Sequence, residues 1–328
     1  MKRRGILALI LGVLIVLTAC GQVGEGTEVE KVDEGKKIKV GIIQFIEHVA
    51  LDRAREGFVN QLKVDGYEVE EIYKSCQGDM TLTNSIPQSI AKEGVDIIYA
   101  IATPAAQGAK NAVQDIPIIF SAVTNAESAE LVESNEKPGG NVTGASDYFP
   151  SRKQLESFLT VFPDIKTIGA LYSTNEANSQ FQIEELEANT KDMGLDLKVI
   201  GVNNINDVAQ ALASLTGSID GFFCITDNLI ASAAPIIGKR LEEAGIPSFA
   251  AEKGPVDNGL LMTDGVDYTK LGEEAARMAE EVLNGKDVGE IPVFFAKDSE
   301  KVVNKKVAEA LGLGEEHEIF KGAAITGE

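Results

Sequence analysis

The chain predicts an α/β protein of two similar lobes, each built on a parallel sheet and joined to the other by a three-strand hinge. Three observations carry this. Short apolar runs alternate with longer amphipathic stretches along most of the sequence, which is the pattern of strands linked by helical crossovers. Asp96-Ile97-Ile98-Tyr99-Ala100-Ile101-Ala102-Thr103-Pro104 is answered by Asp220-Gly221-Phe222-Phe223-Cys224-Ile225-Thr226-Asp227, with Asp227 standing where Thr103 stands. The surroundings of the two units also repeat in order: Gly41-Ile42-Ile43 and Gly169-Ala170-Leu171 come before, Ile116-Pro117-Ile118 and Ile246-Pro247-Ser248 after. Two lobes of one design explain this better than one long sheet.

The chain opens with Met1-Lys2-Arg3-Arg4 and an apolar stretch from Ile6 to Leu17 that ends Leu17-Thr18-Ala19-Cys20-Gly21. A membrane span needs about 20 apolar residues, so this reads as the leader of an exported protein. Small residues before Cys20 match the lipobox of bacterial lipoproteins, in which that cysteine is acylated and becomes the first mature residue. Residues 1–20 are thus a signal peptide with lipidation at Cys20. Residues 21–37, rich in Gly, Glu and Lys, are a flexible tether. The expected location is the outer face of the cytoplasmic membrane, held by the lipid. The 30 basic residues less Lys2, Arg3 and Arg4 are 27, against 51 acidic, a formal charge of −24. A surface of that sign repels nucleic acid.

In the first lobe, strands are expected at Lys39–Phe45, Tyr67–Tyr73, Asp96–Ile101 and from Ile116, with a last strand at Asn141–Gly144. Helices are expected at about 49–64, 82–93 and from Thr103, with a helix-like segment at 127–133. Thr103 is read as the N-cap of its helix, with Pro104 at the first helical position. The second lobe begins with a helix at 151–161. Its strands are read at Thr167–Tyr172, Leu197–Val202, Gly221–Ile225, Pro247–Ala250 and Leu260–Thr263, followed by helices at 271–283 and 304–311. Crossings between lobes are expected near Ser146, Val266 and Phe295. Lobe 1 is therefore 38–145 plus about 267–294, and lobe 2 is 146–266 plus about 295–325. Cys76 and Cys224 fall on different lobes and are read as free thiols.

Binding groups are expected at the carboxyl ends of these strands. Thr103, with the N–H groups of Ala105 and Ala106, can hold an anionic group at a helix N-terminus. Asp227 can hold a cationic one, and the two are read as opposing sides of a cleft that takes a zwitterion. A bare helix cap accounts for either residue equally well. Asp147 lies at a crossing, where both lobes reach a ligand or where the chain simply turns. Gln44, Thr124, Asn125, Ser173 and Asn178 belong to the same rim, and Glu252 is a second acceptor for a cation or a solvated acid. His48 and His317 lack metal-site partners at useful spacing. No Gly-x-Ser-x-Gly elbow, His-Glu-x-x-His or phosphate loop is present. The reading is of a binding protein without cofactor or metal, not an enzyme.

Ile101-Ala102-Thr103-Pro104-Ala105-Ala106-Gln107, Phe120-Ser121-Ala122-Val123-Thr124, Asn141-Val142-Thr143-Gly144-Ala145-Ser146-Asp147, Asn175-Glu176-Ala177-Asn178-Ser179, Gly265-Val266-Asp267-Tyr268 and Pro292-Val293 occur in this order. Together they resemble the ABC-transporter substrate-binding lipoproteins of the tryptophan/tyrosine type, from about Lys39 to Leu313. The resemblance implies a type I periplasmic-binding-protein fold with Rossmann-like lobes. It also implies a protein that captures an amino acid, an aromatic one above all, and passes it to a permease; a monomer is expected, though not from the resemblance. Phe45, Tyr148 and Phe149 would then wall the ring, with Phe222 and Phe223 in the core. Val49 after Glu47-His48, Ser75-Cys76 before Gln77-Gly78-Asp79, and Ala251-Glu252-Lys253-Gly254-Pro255-Val256 depart from the family's usual residues. A ligand sensor of the same fold, signalling to a membrane partner, is the other reading.

Overall fold

The protein was analysed as a computed structural model that describes residues 36–327. Cys20, the leader and most of the tether lie outside them. Strand β1 (Lys36–Gln44) starts earlier than its apolar residues require, because Lys36 and Lys37 pair with Tyr67 and Glu68 of the neighbouring strand. The expected tether therefore ends before these two lysines. Helix α1 (Val49–Val64) buries Leu51, Ala54, Phe58 and Leu62, residues three or four apart on one face. The alternation continues through β2 (Tyr67–Ser75), α2 (Leu82–Ala91), β3 (Ile97–Ile101), α3 (Thr103–Ala112), β4 (Ile118–Ser121) and β5 (Val142–Ser146). These five strands are parallel in the order β5-β4-β3-β1-β2. β3, β4 and β5 are buried along their whole length, which is why they read as unbroken apolar or small runs.

The helix-like segment at 127–133 is a series of turns instead. Ala129 N–H bonds the Asn125 carbonyl and Leu131 N–H that of Ala126, but Glu130 has φ 57° and breaks any helix there.

The second lobe runs α4 (Ser151–Val161), β6 (Thr167–Ser173), α5 (Ala177–Asp192), β7 (Asp196–Val202), α6 (Ile205–Leu215), β8 (Gly221–Cys224), α7 (Asn228–Ser232), α8 (Ala234–Ala244), β9 (Ser248–Glu252), α9 (Lys253–Asp257) and β10 (Met262–Val266). Phe222 and Phe223 point to opposite faces of this sheet, as neighbours in a strand must. Phe222 joins Leu212 and Ile237 on one side. Phe223 stacks on Phe249 on the other, ring centres 5.4 Å apart.

From β10 the chain returns to the first lobe. Helix α10 (Tyr268–Leu283) packs on α1, and β11 (Phe294–Phe295) pairs with β5. It then crosses once more to β12 (Glu300–Asn304), α11 (Lys305–Ala310) and β13 (Ala324–Thr326). The chain thus passes between the sheets after Ser146, after Val266 and after Phe295. The second sheet has the order β13-β12-β10-β9-β8-β6-β7. Within it β12 runs antiparallel to β10, an exception to the expected all-parallel arrangement that follows from entering by the third crossing. Cys76 is buried in the core of the first lobe and Cys224 in that of the second, both as free thiols.

Candidate functional site

At the carboxyl ends of the first sheet the backbone departs from ordinary conformations. Gln77, Ala102 and Ala122, which follow β2, β3 and β4, have φ of 53°, 81° and 56°. Non-glycine residues hold such angles at some cost, and they cluster where a fold positions a ligand. Ala102 changes one expectation: it, not Thr103, is the N-cap of α3, so Thr103 and Pro104 are the first two helical residues. As a result Ala106 N–H is tied to the Ala102 carbonyl at 3.1 Å and is not free for an anion. Helix geometry leaves the N–H groups of Thr103 and Ala105 unused. The Thr103 hydroxyl is buried and makes no hydrogen bond, so it does not serve as a cap.

The facing ends of the two sheets meet along a seam. Across it, Arg53 of α1 donates to Asp257 of α9 at 2.5 Å and His48 Nε2 lies 3.4 Å from Asn228 Oδ1. Thr124 and Thr226 hydroxyls are 3.3 Å apart. Among the described residues, two small chambers there, each of about 10 Å³, share Asp147 and Thr226. One is lined by His48, Ala122, Asn178, Asp227, Glu252 and Tyr268 besides the shared pair. The other has aromatic walls, Tyr148, Phe149 and Phe223, with Thr124, Gln154 and Gln182.

Carboxyl groups dominate the first chamber. Asp227 is the N-cap of α7, accepting from Ile230 N–H at 2.8 Å, Ser173 N–H at 2.5 Å and the Ser179 hydroxyl at 2.7 Å. Every donor comes from its own lobe. Beside it Glu176 accepts from the Asn228 side chain and from Leu229 N–H. Burial, then the Asp227 charge, raise the Glu176 carboxyl above the usual range. Asp147 accepts from the Tyr268 hydroxyl at 2.6 Å through Oδ2, while Oδ1 is unpartnered. Glu252 caps α9 by accepting from Gly254 N–H, and its Oε1 is unpartnered. Burial pushes Glu252 up to about 8. The same desolvation lowers His48 to about 4, so the one imidazole here is neutral.

Of the other anticipated residues, Gln44 is buried, donates to Ile46 O and to Asp52, and leaves Oε1 unpartnered. Phe45 is packed in the apolar core of the first lobe and lines neither chamber. Ala105 is buried at the start of α3. Tyr148 donates to Glu185 and meets Phe181 edge-on. Asn178 donates to Thr226 O, its Oδ1 unpartnered. The lining of the chamber that holds Asp227 does not include Thr103; from the first lobe it is closed by His48, Ala122 and Tyr268. Phe223, expected wholly in the core, shows a face to the aromatic chamber.

Sequence reasoning passed over Glu176, Gln182, Thr226 and Tyr268. Gln182 is the most connected of them: it accepts from Thr226 N–H at 3.0 Å and donates to Asn178 O at 3.1 Å. Its spacing of four from Asn178 puts both on one face of α5, a signal available beforehand. Among the described residues no group of three or more His, Cys, Asp or Glu is arranged to hold a metal ion.

A family model described as ABC transporter substrate binding protein matches residues 39–326. The chain belongs to this family. The binding protein is 42% identical over 323 residues to the Tyrosine-binding protein of Clostridioides difficile, a match covering 95% of this chain and 93% of the relative. It resembles an ABC domain from Streptococcus pneumoniae solved in complex with L-Trp, with TM-score 0.82 at 32% identity over 89% of this chain and 100% of that one. Against the ligand-free, open structure of a Clostridium difficile substrate-binding protein with adhesive properties, the TM-score is 0.68 at 39% identity, over 88% and 99%. The more similar sequence gives the poorer superposition. The fold is the type I periplasmic-binding-protein fold.

Proposed function

We propose that this is the lipid-anchored, extracytoplasmic binding component of an ABC importer. It captures an aromatic amino acid, L-tyrosine or L-tryptophan, between its lobes and hands the closed complex to a permease as a monomer. One observation carries the reading. Asp147, Asn178 and Glu252, each with a buried oxygen that has no hydrogen-bond partner, line one small chamber between the lobes, beside a chamber walled by Tyr148, Phe149 and Phe223. Buried polar atoms are ordinarily satisfied, and a ligand with donors at one end and a flat apolar body at the other would satisfy these. Thr103 and the N–H groups at the start of α3 offer a place for its carboxylate. The relatives' ligands, tyrosine and L-Trp, have this chemistry.

Admission of a ring requires the lobes to part, since ligand pockets for such molecules are commonly about 300 Å³ or larger. Contacts made by both lobes then exist only after closure, so the ligand shifts the population toward the closed form. Lipid attachment at Cys20 keeps the protein beside its permease. The test is thermal unfolding of the full chain in detergent with each amino acid in turn. L-Tyrosine or L-tryptophan at saturation should raise Tm by about 5 °C or more. The reading fails if no aromatic amino acid does so.

A further inference from the structure

We propose that Asp147 and Glu252, and not Asp227, receive the ligand's ammonium group, which displaces the proton that Glu252 holds in the free protein. The inference rests on the reading above and assigns the cationic end of that site.

Both oxygens of Asp227 are occupied. Oδ1 accepts from Ile230 N–H, and Oδ2 from Ser173 N–H and the Ser179 hydroxyl. Those donors belong to the backbone and helices of the second lobe and stay with the carboxylate whatever the hinge does. An ammonium group would have to add to a filled set. Asp147 and Glu252 differ in kind. They are 5% and 4% exposed, line the same chamber, and each has one oxygen satisfied and one without a partner. Two acceptors on one chamber suit a group with several N–H donors. The chamber itself is about 10 Å³, close to the space that one water-sized group occupies.

Among the described residues the pair is compensated only in part: the Arg53 charge draws Glu252 down, but less than burial pushes it up. Asp147 stands at the hinge crossing, with the Tyr268 hydroxyl of α10 donating to it and Thr124 nearby. Around Glu252 are Arg53 of α1, already paired with Asp257 of α9, Cys224 of β8 and the Tyr268 hydroxyl. His48 and Asp227 complete the lining, the first neutral and the second acidic. Two buried carboxylates on one chamber cannot both ionise at little cost, and burial, aided by the Asp147 and Asp257 charges against the pull of Gly254 N–H and Arg53, holds Glu252 up to about 8. An arriving ammonium removes that penalty. Glu252 gives its proton to the buffer, and the pair goes from one negative charge to two, balanced in part by the ligand's positive one. Since the free protein holds the proton below about pH 8, binding must expel it there, so affinity falls as pH drops from 8 toward 6.

Calorimetric titration of the full chain in detergent at pH 7, in two buffers of different ionisation enthalpy, reads the proton directly. Probes are L-tyrosine, L-tryptophan, tyramine, and 3-(4-hydroxyphenyl)propionate, which lacks the amine. Release of a substantial fraction of one proton per L-tyrosine, and none with the deaminated acid, is the expected result. Asp147→Asn and Glu252→Gln should each weaken L-tyrosine by about tenfold or more while leaving the deaminated acid within about twofold. Asp227→Asn should weaken both alike. The proposal is overturned if wild type releases no proton, or if only Asp227→Asn removes the preference for the amine. The wild-type measurement stands even where a variant fails to fold. If no aromatic amino acid binds but tyramine binds with proton release, the acid pair survives and the importer reading falls.

Discussion

Glu176 has a meaning for stability that its exposure alone does not suggest. Its carboxyl is buried against Asp227 and titrates above the ordinary value of 4.5. A group whose folded pKa is raised contributes stability in full below the unfolded value and loses it as pH rises through the folded one. The ligand-free protein should therefore become less stable as pH increases from the usual carboxylate range toward neutrality. Glu176→Gln, which cannot ionise, should flatten the dependence of Tm on pH between 5 and 8, an outcome that unfolding curves at several pH values will show. Thr103 and Asp227 show how far residue-level reading reaches. Both were recognisable as polar residues ending buried strands, and Asp227 does cap its helix. What could not be read was that Ala102 takes a φ of 81° and starts α3 itself. Alanine carries no local signal for such a conformation; the surrounding sheet imposes it.

Among elements, the contact between α1 and α10 matters most for the site, because α10 begins at Tyr268, which holds Asp147, and α1 follows His48. Glycines allow the two helices to approach closely. A Cβ on Gly272 would stand 2.0 Å from Ala54 O, and one on Gly57 2.2 Å from Thr269 O. Gly272→Ala must push the helices apart and should cost about 1–3 kcal/mol in denaturant unfolding. Gly217→Ala, which meets nothing within 4 Å, should cost far less. Strand and helix alternation was legible because buried parallel strands and amphipathic helices have distinct periods. α1 and α4 fall where the sequence puts them. The segment at 127–133 was not legible, since its composition suits a helix and only the turn at Glu130 prevents one. Nor were β12 and β13, whose residues have little apolar periodicity and owe their pairing to the third crossing.

For the whole molecule, few direct hydrogen bonds among the described residues join the lobes besides the three crossings. The pair Arg53–Asp257 is the shortest ionic one, and Asp257 is held in turn by the Thr326 hydroxyl of β13. It is partly exposed, so its contribution is modest and screened by salt. Arg53→Ala should raise the open fraction, seen as a larger radius of gyration in small-angle scattering, and weaken ligand binding by about two- to fivefold. Unchanged scattering and affinity would mean that the crossings alone set the lobe angle. The paired lobes and their hinge were visible in the repeated context around Asp96 and Asp220. The direct bonds across the seam were not, because they join residues far apart in sequence with no periodic mark.

Cys76 and Cys224 sit one to a lobe, each enclosed by its own apolar core. A rocking motion about the crossings leaves both cores sealed, whereas local unravelling of either half uncovers one sulfur and spares the other. The molecule thus carries two built-in alkylation clocks, one for each half, that record which half gives way first.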